Sequence, residues 1–253
     1  MLEARHLVKR FYGVTAVNDV SFEIRPGEVV GYLGANGSGK STLCQVLAGR
    51  EVYVVLEGEI RFNGRDLLEM APEERAREGM FLGFQYPVEI PGVSTDYFLR
   101  AAVNEIRKHH SEPELNAVEF LRMVKEKMDL LGMDRSFMNR AINEGFSGGE
   151  KKRNEVFQMA VLNPLLALLD ETDSGLDVDA LRTVANGVNA VKQSDSKKAI
   201  LLVTHYLRML EYIVPDRVHV MVDGRIVRSG DKTLAAELDK HGYKLVEDEV
   251  GAV

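Results

Sequence analysis

An α/β fold, a mixed β-sheet core with an inserted helical lobe, is what this sequence predicts, on three observations. Short apolar runs alternate with helical periodicity at both ends of the chain, the pattern of a sheet flanked by helices. A glycine-rich loop, GANGSGKS at 34–41, joins an expected strand to an expected helix. Between about 94 and 162 the pattern is helical throughout. The expected division assigns 1–88 and 160–253 to the core and 89–159 to the lobe.

Taken in order, residues 2–8 and 16–24 read as strands, Pro26 and Gly27 as a turn, and 28–33 as a further strand. The glycine-rich loop opens a helix that runs through Leu47, and 57–63 and 80–84 read as strands. Ser94 is a suitable N-cap for a helix reaching His110. Val118, Leu121, Val124, Met128 and Leu131 recur at three to four residues, the period of one helix face. The run 165–169 is almost wholly apolar, as buried parallel strands are. A helix over 177–192 and a strand over 199–204 form another βα unit. Residues 218–222 and 225–228, joined by Asp223 and Gly224, read as a hairpin.

Composition narrows the function. The chain has 253 residues, 45% hydrophobic and 28% charged, enough to bury a sizeable core. Its net charge of −7 argues against a nucleic-acid partner, which calls for a basic stripe. The single cysteine, Cys44, excludes an internal disulfide and cannot hold an iron–sulfur cluster alone; it reads as a buried structural thiol. The first ten residues, MLEARHLVKR, lack the apolar stretch of a signal peptide. No run approaches the roughly 18 apolar residues of a membrane span. The expectation is a cytoplasmic chain with no direct membrane insertion, whose membrane role, if any, passes through a partner. The final EDEVGAV reads as a frayed end.

The loop at 34–41 fits G-x-x-x-x-G-K-[ST] in its confirming strand–loop–helix context. Gly34, Gly37 and Gly39 let the backbone curl around Asn36 and Ser38 so that N–H groups point at phosphate oxygens. The helix start at Gly39 and Lys40 offers its positive end to the anion. Lys40 reaches the β- and γ-phosphates of ATP, Ser41 gives a hydroxyl oxygen to Mg²⁺, and Thr42 continues the motif.

Further along, the strand at 165–169 ends in Asp170 and Glu171. Asp170 is placed to hold Mg²⁺ through its water shell, and Glu171 to orient or deprotonate the attacking water. Gln85 ends one strand and suits Mg²⁺ or the water. His205 follows another, at the strand end where α/β ligands bind, although a lone histidine is more often structural. Tyr12 offers a ring for the adenine, or is an ordinary exposed tyrosine. Ser147, Gly148 and Gly149 open a helix and form a second anion grip. One ATP needs only one phosphate loop, so the second grip suggests the ATP of a second chain.

GANGSGKST, Gln85, FSGGEKKR, LLALLDE, SGLD and His205 stand in the order and spacing of ABC-type ATPases, P-loop NTPases that this chain resembles along nearly its whole length. The resemblance implies an ATP-binding core and a helical subdomain carrying the signature motif. It implies a dimer sandwiching two ATP, with Lys40, Ser41 and Asp170 of one copy facing Ser147 and Gly149 of the other. It also implies that Glu171 is the catalytic carboxylate and His205 the γ-phosphate sensor. FQYPVEIPGVS and DETDSGLD are similar, more narrowly, to the ATPase subunits of the SUF iron–sulfur cluster assembly system. Transporter ATPases commonly read DEPT and SALD there. This narrower resemblance implies SufB- and SufD-like scaffold partners gripped through 85–94, with conformational change in the scaffold driven by ATP hydrolysis.

Lys151, Lys152 and Arg153 follow the signature where transporters often carry glutamines. They read as a solvated basic face, or Lys152 pairs with an acid of the 170–173 stretch and restrains Glu171. Three rivals remain: the ATP-binding subunit of a membrane transporter, a chromosome-associated ABC ATPase, and a clamp that binds ATP without turnover. The 62-residue step from Gln85 to Ser147, with no cysteine pair, counts against the second. Intact Glu171 and His205 count against the third.

Overall fold

The structure is a computed structural model describing residues 1–243; the EDEVGAV end lies outside the described residues. Among the described residues twelve strands and eight α-helices follow one another: β1 (Leu2–Phe11), β2 (Val14–Ile24), β3 (Val29–Leu33), α1 (Lys40–Ala48), β4 (Glu57–Phe62), β5 (Arg65–Asp66), α2 (Pro72–Arg77) and β6 (Met80–Gly83). Then come β7 (Ile90–Ser94), α3 (Thr95–His109), α4 (Ala117–Leu131), β8 (Ala141–Ile142), α5 (Gly148–Leu162), β9 (Leu166–Asp170), α6 (Val178–Gln193), β10 (Ala199–Val203), α7 (Met209–Tyr212), β11 (Arg217–Val222), β12 (Arg225–Gly230) and α8 (Lys232–His241).

The sheet core is mixed, as expected. A six-stranded sheet runs β12-β11-β3-β10-β9-β6, parallel except for the edge strand β12. A four-stranded antiparallel sheet runs β2-β1-β4-β5. Helix α1 lies with these two sheets in one core, where Leu43, Cys44 and Leu47 are fully buried. The other face of the six-stranded sheet packs on α6, α7 and α8. Strands β3, β9 and β10 are buried at every residue, which explains their unbroken apolar runs. Cys44 is an inert core thiol whose pKa burial drives up.

Helix α1 is only nine residues long and has no basic residue in its last turn. Its C-terminal carbonyls are capped from outside. Arg75 of α2, 5% exposed, donates from Nη1 to the Val46 and Leu47 oxygens, both at 2.8 Å, and from Nε to Met70 O at 3.0 Å. The end of the phosphate-loop helix is thereby fastened to the chain that leads into β6.

A third core fills the helical stretch, formed by Leu99, Phe120, Val124, Met128 and Phe157. The period expected for α4 holds, but its phase needs correction. Phe120, Val124 and Met128 are buried, whereas Val118 and Leu121 are exposed. The aromatic ring at 120 outweighs the smaller side chains in choosing the face. Ser94 does precede α3, but its side chain makes no cap hydrogen bond. The 83–94 segment is not a free loop: β7 pairs with β8, Asn143 Nδ2 donates to Val88 O at 2.8 Å, and Lys151 pairs with Glu89. It is fastened to the stretch that leads into α5.

Candidate functional site

Parallel pairing in register brings the carboxyl ends of four strands to one edge. Val203 stands beside Tyr32 on one side and Asp170 on the other, and Gly83 stands beside Leu169. The residues following β3, β6, β9 and β10 are therefore the phosphate loop, Gln85, Glu171 and His205. This is where ligands bind in open α/β sheets. A cavity of about 460 Å³ lies there. Asn36, Gly37, Gly39, Lys40, Ser41 and Thr42 form one wall, and Gln85, Glu171 and His205 the other.

The loop's conformation requires glycine. Gly39 has φ +104°, and a Cβ there would sit 2.2 Å from the Ala16 carbonyl oxygen. Lys40 is buried, and its ammonium donates to Gly34 O at 2.8 Å and Ala35 O at 2.9 Å. Burial lowers its pKa, against the pull of Glu171 and Asp170. Ser41 Oγ donates to Asp170 Oδ1 at 2.8 Å. Burial raises the Asp170 carboxyl, partly offset by that hydrogen bond.

Glu171 sits at φ +46°, a conformation that residues with a Cβ rarely take and that costs free energy. Its N–H donates to Val203 O at 2.9 Å, and its own carbonyl accepts from Ser174 N at 3.0 Å. This bend turns the carboxylate from the strand end into the cavity. Gln85 Nε2 donates to Glu171 Oε2 at 2.6 Å, and His205 Nδ1 lies 3.6 Å from Oε1. Just past the two strand ends, Thr204 Oγ1 donates to Asp173 Oδ2 at 2.6 Å. Asp173 thereby ties the segment after β9 to the end of β10.

Some expected residues stand elsewhere. Tyr12 is fully exposed on the β1–β2 turn and does not line the cavity; Ala16 does. Ser147 and Gly148 are exposed, away from it. Ser147 is the N-cap of α5: its Oγ accepts from Glu150 N at 3.3 Å, and Glu150 Oε2 accepts from Ser147 N at 2.8 Å. The Ser147 N–H and hydroxyl, both donating to its carboxylate, and then Arg140 pull the Glu150 carboxyl down to about 2. Tyr86 and Ser174 line the cavity and were not anticipated, although both adjoin recognised motifs.

Lys152 corrects both sequence readings. It is 3% exposed, so it is no solvated face. Its ammonium donates to Phe84 O and lies 3.5 Å from Glu155 Oε2, not against the 170–173 acids. Burial lowers the Lys152 pKa and raises that of Glu155 to about 7. Glu155 carries no motif signal, and sequence reading missed it.

A second concavity, about 890 Å³, opens between β6 and the helices α3 and α4. Phe81, Leu82, Phe98, Val103, Met123 and Leu162 floor it, and Glu78, Arg107 and Glu126 stand on its rim. Of the 83–94 segment only Phe84 reaches it, while Gln85 and Tyr86 turn to the first cavity. No helix among the described residues is long and apolar enough to cross a membrane.

A family profile described as ABC transporter matches residues 17–174. The Escherichia coli (strain K12) protein named probable ATP-dependent transporter SufC is 53% identical over 224 residues, covering 88% of this chain and 90% of that protein. The probable ATP-dependent transporter ycf16 of Pyropia yezoensis is 52% identical over 243 residues, 96% of each chain. Among solved structures, the ADP conformation of MJ1267, an ATP-binding cassette of an ABC transporter, superposes with a TM-score of 0.77 at 24% identity, covering 99% of this chain and 98% of that one. The post-hydrolysis dimer of the MJ0796 cassette, bound to ADP and Pi, gives 0.76 at 20% identity, covering 92% and 99%. At those identities the superpositions speak for the fold.

Proposed function

This chain belongs to the ABC transporter family and is an ATP-hydrolysing cassette, and from that premise we propose that its hydrolysis drives conformational change in a SufB- and SufD-type scaffold during iron–sulfur cluster assembly in the cytoplasm. The observation that carries the reading is the 53% identity with the Escherichia coli protein named SufC over 88% of this chain; the DETD and YPVEIPG stretches, which depart from the common transporter pattern, point the same way. The groove beside Phe84 supports it: its apolar floor and charged rim suit an amphipathic helix of the scaffold.

In the proposed mechanism Lys40 exchanges its loop carbonyls for the β- and γ-phosphate oxygens. Ser41 Oγ and Asp170 Oδ1, 2.8 Å apart, are the hard oxygen donors that Mg²⁺ prefers, and Gln85 lines the same cavity as Ser41, so the residues fit this cation. Among the described residues no group of three or more acidic, histidine or cysteine side chains forms a metal site by itself, which leaves coordination to be completed by phosphate and water. A cation held there would supply positive charge to offset that of the β- and γ-phosphates. Glu171 accepts the proton of the water whose oxygen attacks the γ-phosphorus. The bond to the ADP oxygen breaks, giving ADP and phosphate. Gln85 holds one carboxylate oxygen of Glu171, and His205 stands beside the other. Ser147 and Gly148, exposed at the start of α5, and the half-buried Gly149 are left to grip the ATP of a second copy, and Tyr12 to stack on its own adenine.

The test is a tagged pull-down from soluble and membrane fractions, with and without a non-hydrolysable ATP analogue. Recovery of two soluble scaffold proteins of the SufB and SufD type supports the reading. Recovery of a polytopic membrane protein transfers the cassette to a transporter and leaves the hydrolytic site as described.

A further inference from the structure

Behind the ATP cavity, α5 carries two ionisable side chains that the hydrolytic site does not use. Lys152 and Glu155 stand one helical turn apart, 3% and 5% exposed. Glu155 Oε1 accepts the Phe84 N–H at 2.7 Å, and the Lys152 ammonium donates to the Phe84 carbonyl oxygen. A single buried pair therefore holds both backbone hydrogen-bonding groups of one residue. The β6–β9 ladder ends at Gly83 and Leu169, so strand pairing no longer supports Phe84. The next residue is Gln85, whose amide meets Glu171 at 2.6 Å. Space is tight around the clasp: a Cβ on Gly83 would lie 3.1 Å from Leu169 Cδ2 and 3.5 Å from Glu155 Oε2.

Stability is a poor reason for such a pair. Two buried charges are costly to desolvate, and apolar replacements of similar volume are often neutral or stabilising. Glu155 Oε2 has no hydrogen-bond partner and is satisfied only by the nearby ammonium. What the pair does supply is a hold on the two peptide groups flanking Phe84, the second of which leads into Gln85. It also supplies a rigid link from that peptide to the helix that opens with Ser147, Gly148 and Gly149.

We propose that Glu155, together with Lys152, is a positioning residue for ATP hydrolysis: the buried pair grips the Phe84 backbone and so sets the Gln85 amide on Glu171. Any displacement of α5 then carries Gln85 with it. The inference rests on the assignment of Gln85 and Glu171 to the hydrolytic step.

The test uses the purified full-length chain and four variants: Gln85→Ala, Glu155→Leu, Glu155→Gln, and Glu155→Leu in the Gln85→Ala background. A neutral pair, Lys152→Met with Glu155→Leu, leaves no lone buried charge and guards against misfolding. Steady-state hydrolysis against ATP concentration separates kcat from KM. The expected result is a kcat reduced about 10-fold by Glu155→Leu and by the neutral pair, with KM changed less than about twofold, as loss of positioning alone requires. Glu155→Gln keeps an acceptor for the Phe84 N–H and recovers most of the rate. In the Gln85→Ala background, Glu155→Leu changes kcat by less than about twofold, because both changes break one linkage. Parental kcat in Glu155→Leu and in the neutral pair overturns the proposal. So does an equal loss in both backgrounds, which marks a general structural role. Unchanged kcat in Gln85→Ala instead overturns the assignment of Gln85, and with it the route to hydrolysis. Hydrogen exchange at the Phe84 amide still reads the grip: faster exchange in Glu155→Leu supports it, and unchanged exchange refutes it.

Discussion

Replacing Arg75 by methionine isolates the clamp on the phosphate-loop helix. Methionine keeps much of the unbranched stem and removes the guanidinium. Three carbonyl oxygens lose a donor: Val46, Leu47 and Met70. Val46 O retains the Gly49 N–H at 3.1 Å, so the damage concentrates on Leu47 and Met70. Each buried acceptor left unpaired costs about 1–3 kcal/mol. Against this stands the cost of burying the guanidinium, visible as a pKa lowered first by burial. A net loss of about 3 kcal/mol follows, which lowers Tm by roughly 6–12 °C in a chain of this size. Calorimetry at neutral pH measures it. Arg75→Lys restores one point donor instead of a fork and regains less than half of the loss. A Tm within about 2 °C of the parent, or full recovery with lysine, refutes the reasoning.

Three further outcomes are expected. Glu171→Gln retains ATP binding and lowers hydrolysis about 10²–10⁴-fold, measured as phosphate release beside nucleotide titration, because the amide cannot accept the water's proton. Gly39→Ala abolishes ATP binding in an equilibrium titration, since its Cβ would press to 2.2 Å on Ala16 O at φ +104°. The third concerns pH. Burial raises Glu155 from 4.5 to about 7, so the folded chain keeps a proton that the unfolded chain has released. The resulting stability is fully present below the unfolded value and is lost as pH rises through about 7. Glu155→Gln does not titrate, so the Tm of the parent falls relative to this variant between pH 4.5 and 7. Parallel Tm profiles refute the reading.

Local chemistry made much of this molecule legible in its amino-acid order. The phosphate loop depends on glycines and a lysine at fixed spacing, and the buried strands β3, β9 and β10 show as unbroken apolar runs. Asp170, Glu171, Gln85 and His205 were each found because each follows such a run. That they converge on one cavity is a consequence of parallel pairing in register, which spacing suggests but does not measure. The face of α4 went to Phe120 because packing volume, not period, chose the phase. The 83–94 segment gained a two-stranded pairing from residues about fifty positions away. Lys152 and Glu155 show the limit most clearly. Their partners are the backbone atoms of Phe84, 68 and 71 residues distant, and backbone atoms leave no trace in residue types. Residue identity thus determined which chemistry was present and where each strand or helix could form. Only the tertiary structure decided which charges were buried, what they hold and which surfaces stayed open, because those depend on contacts between segments far apart in the chain.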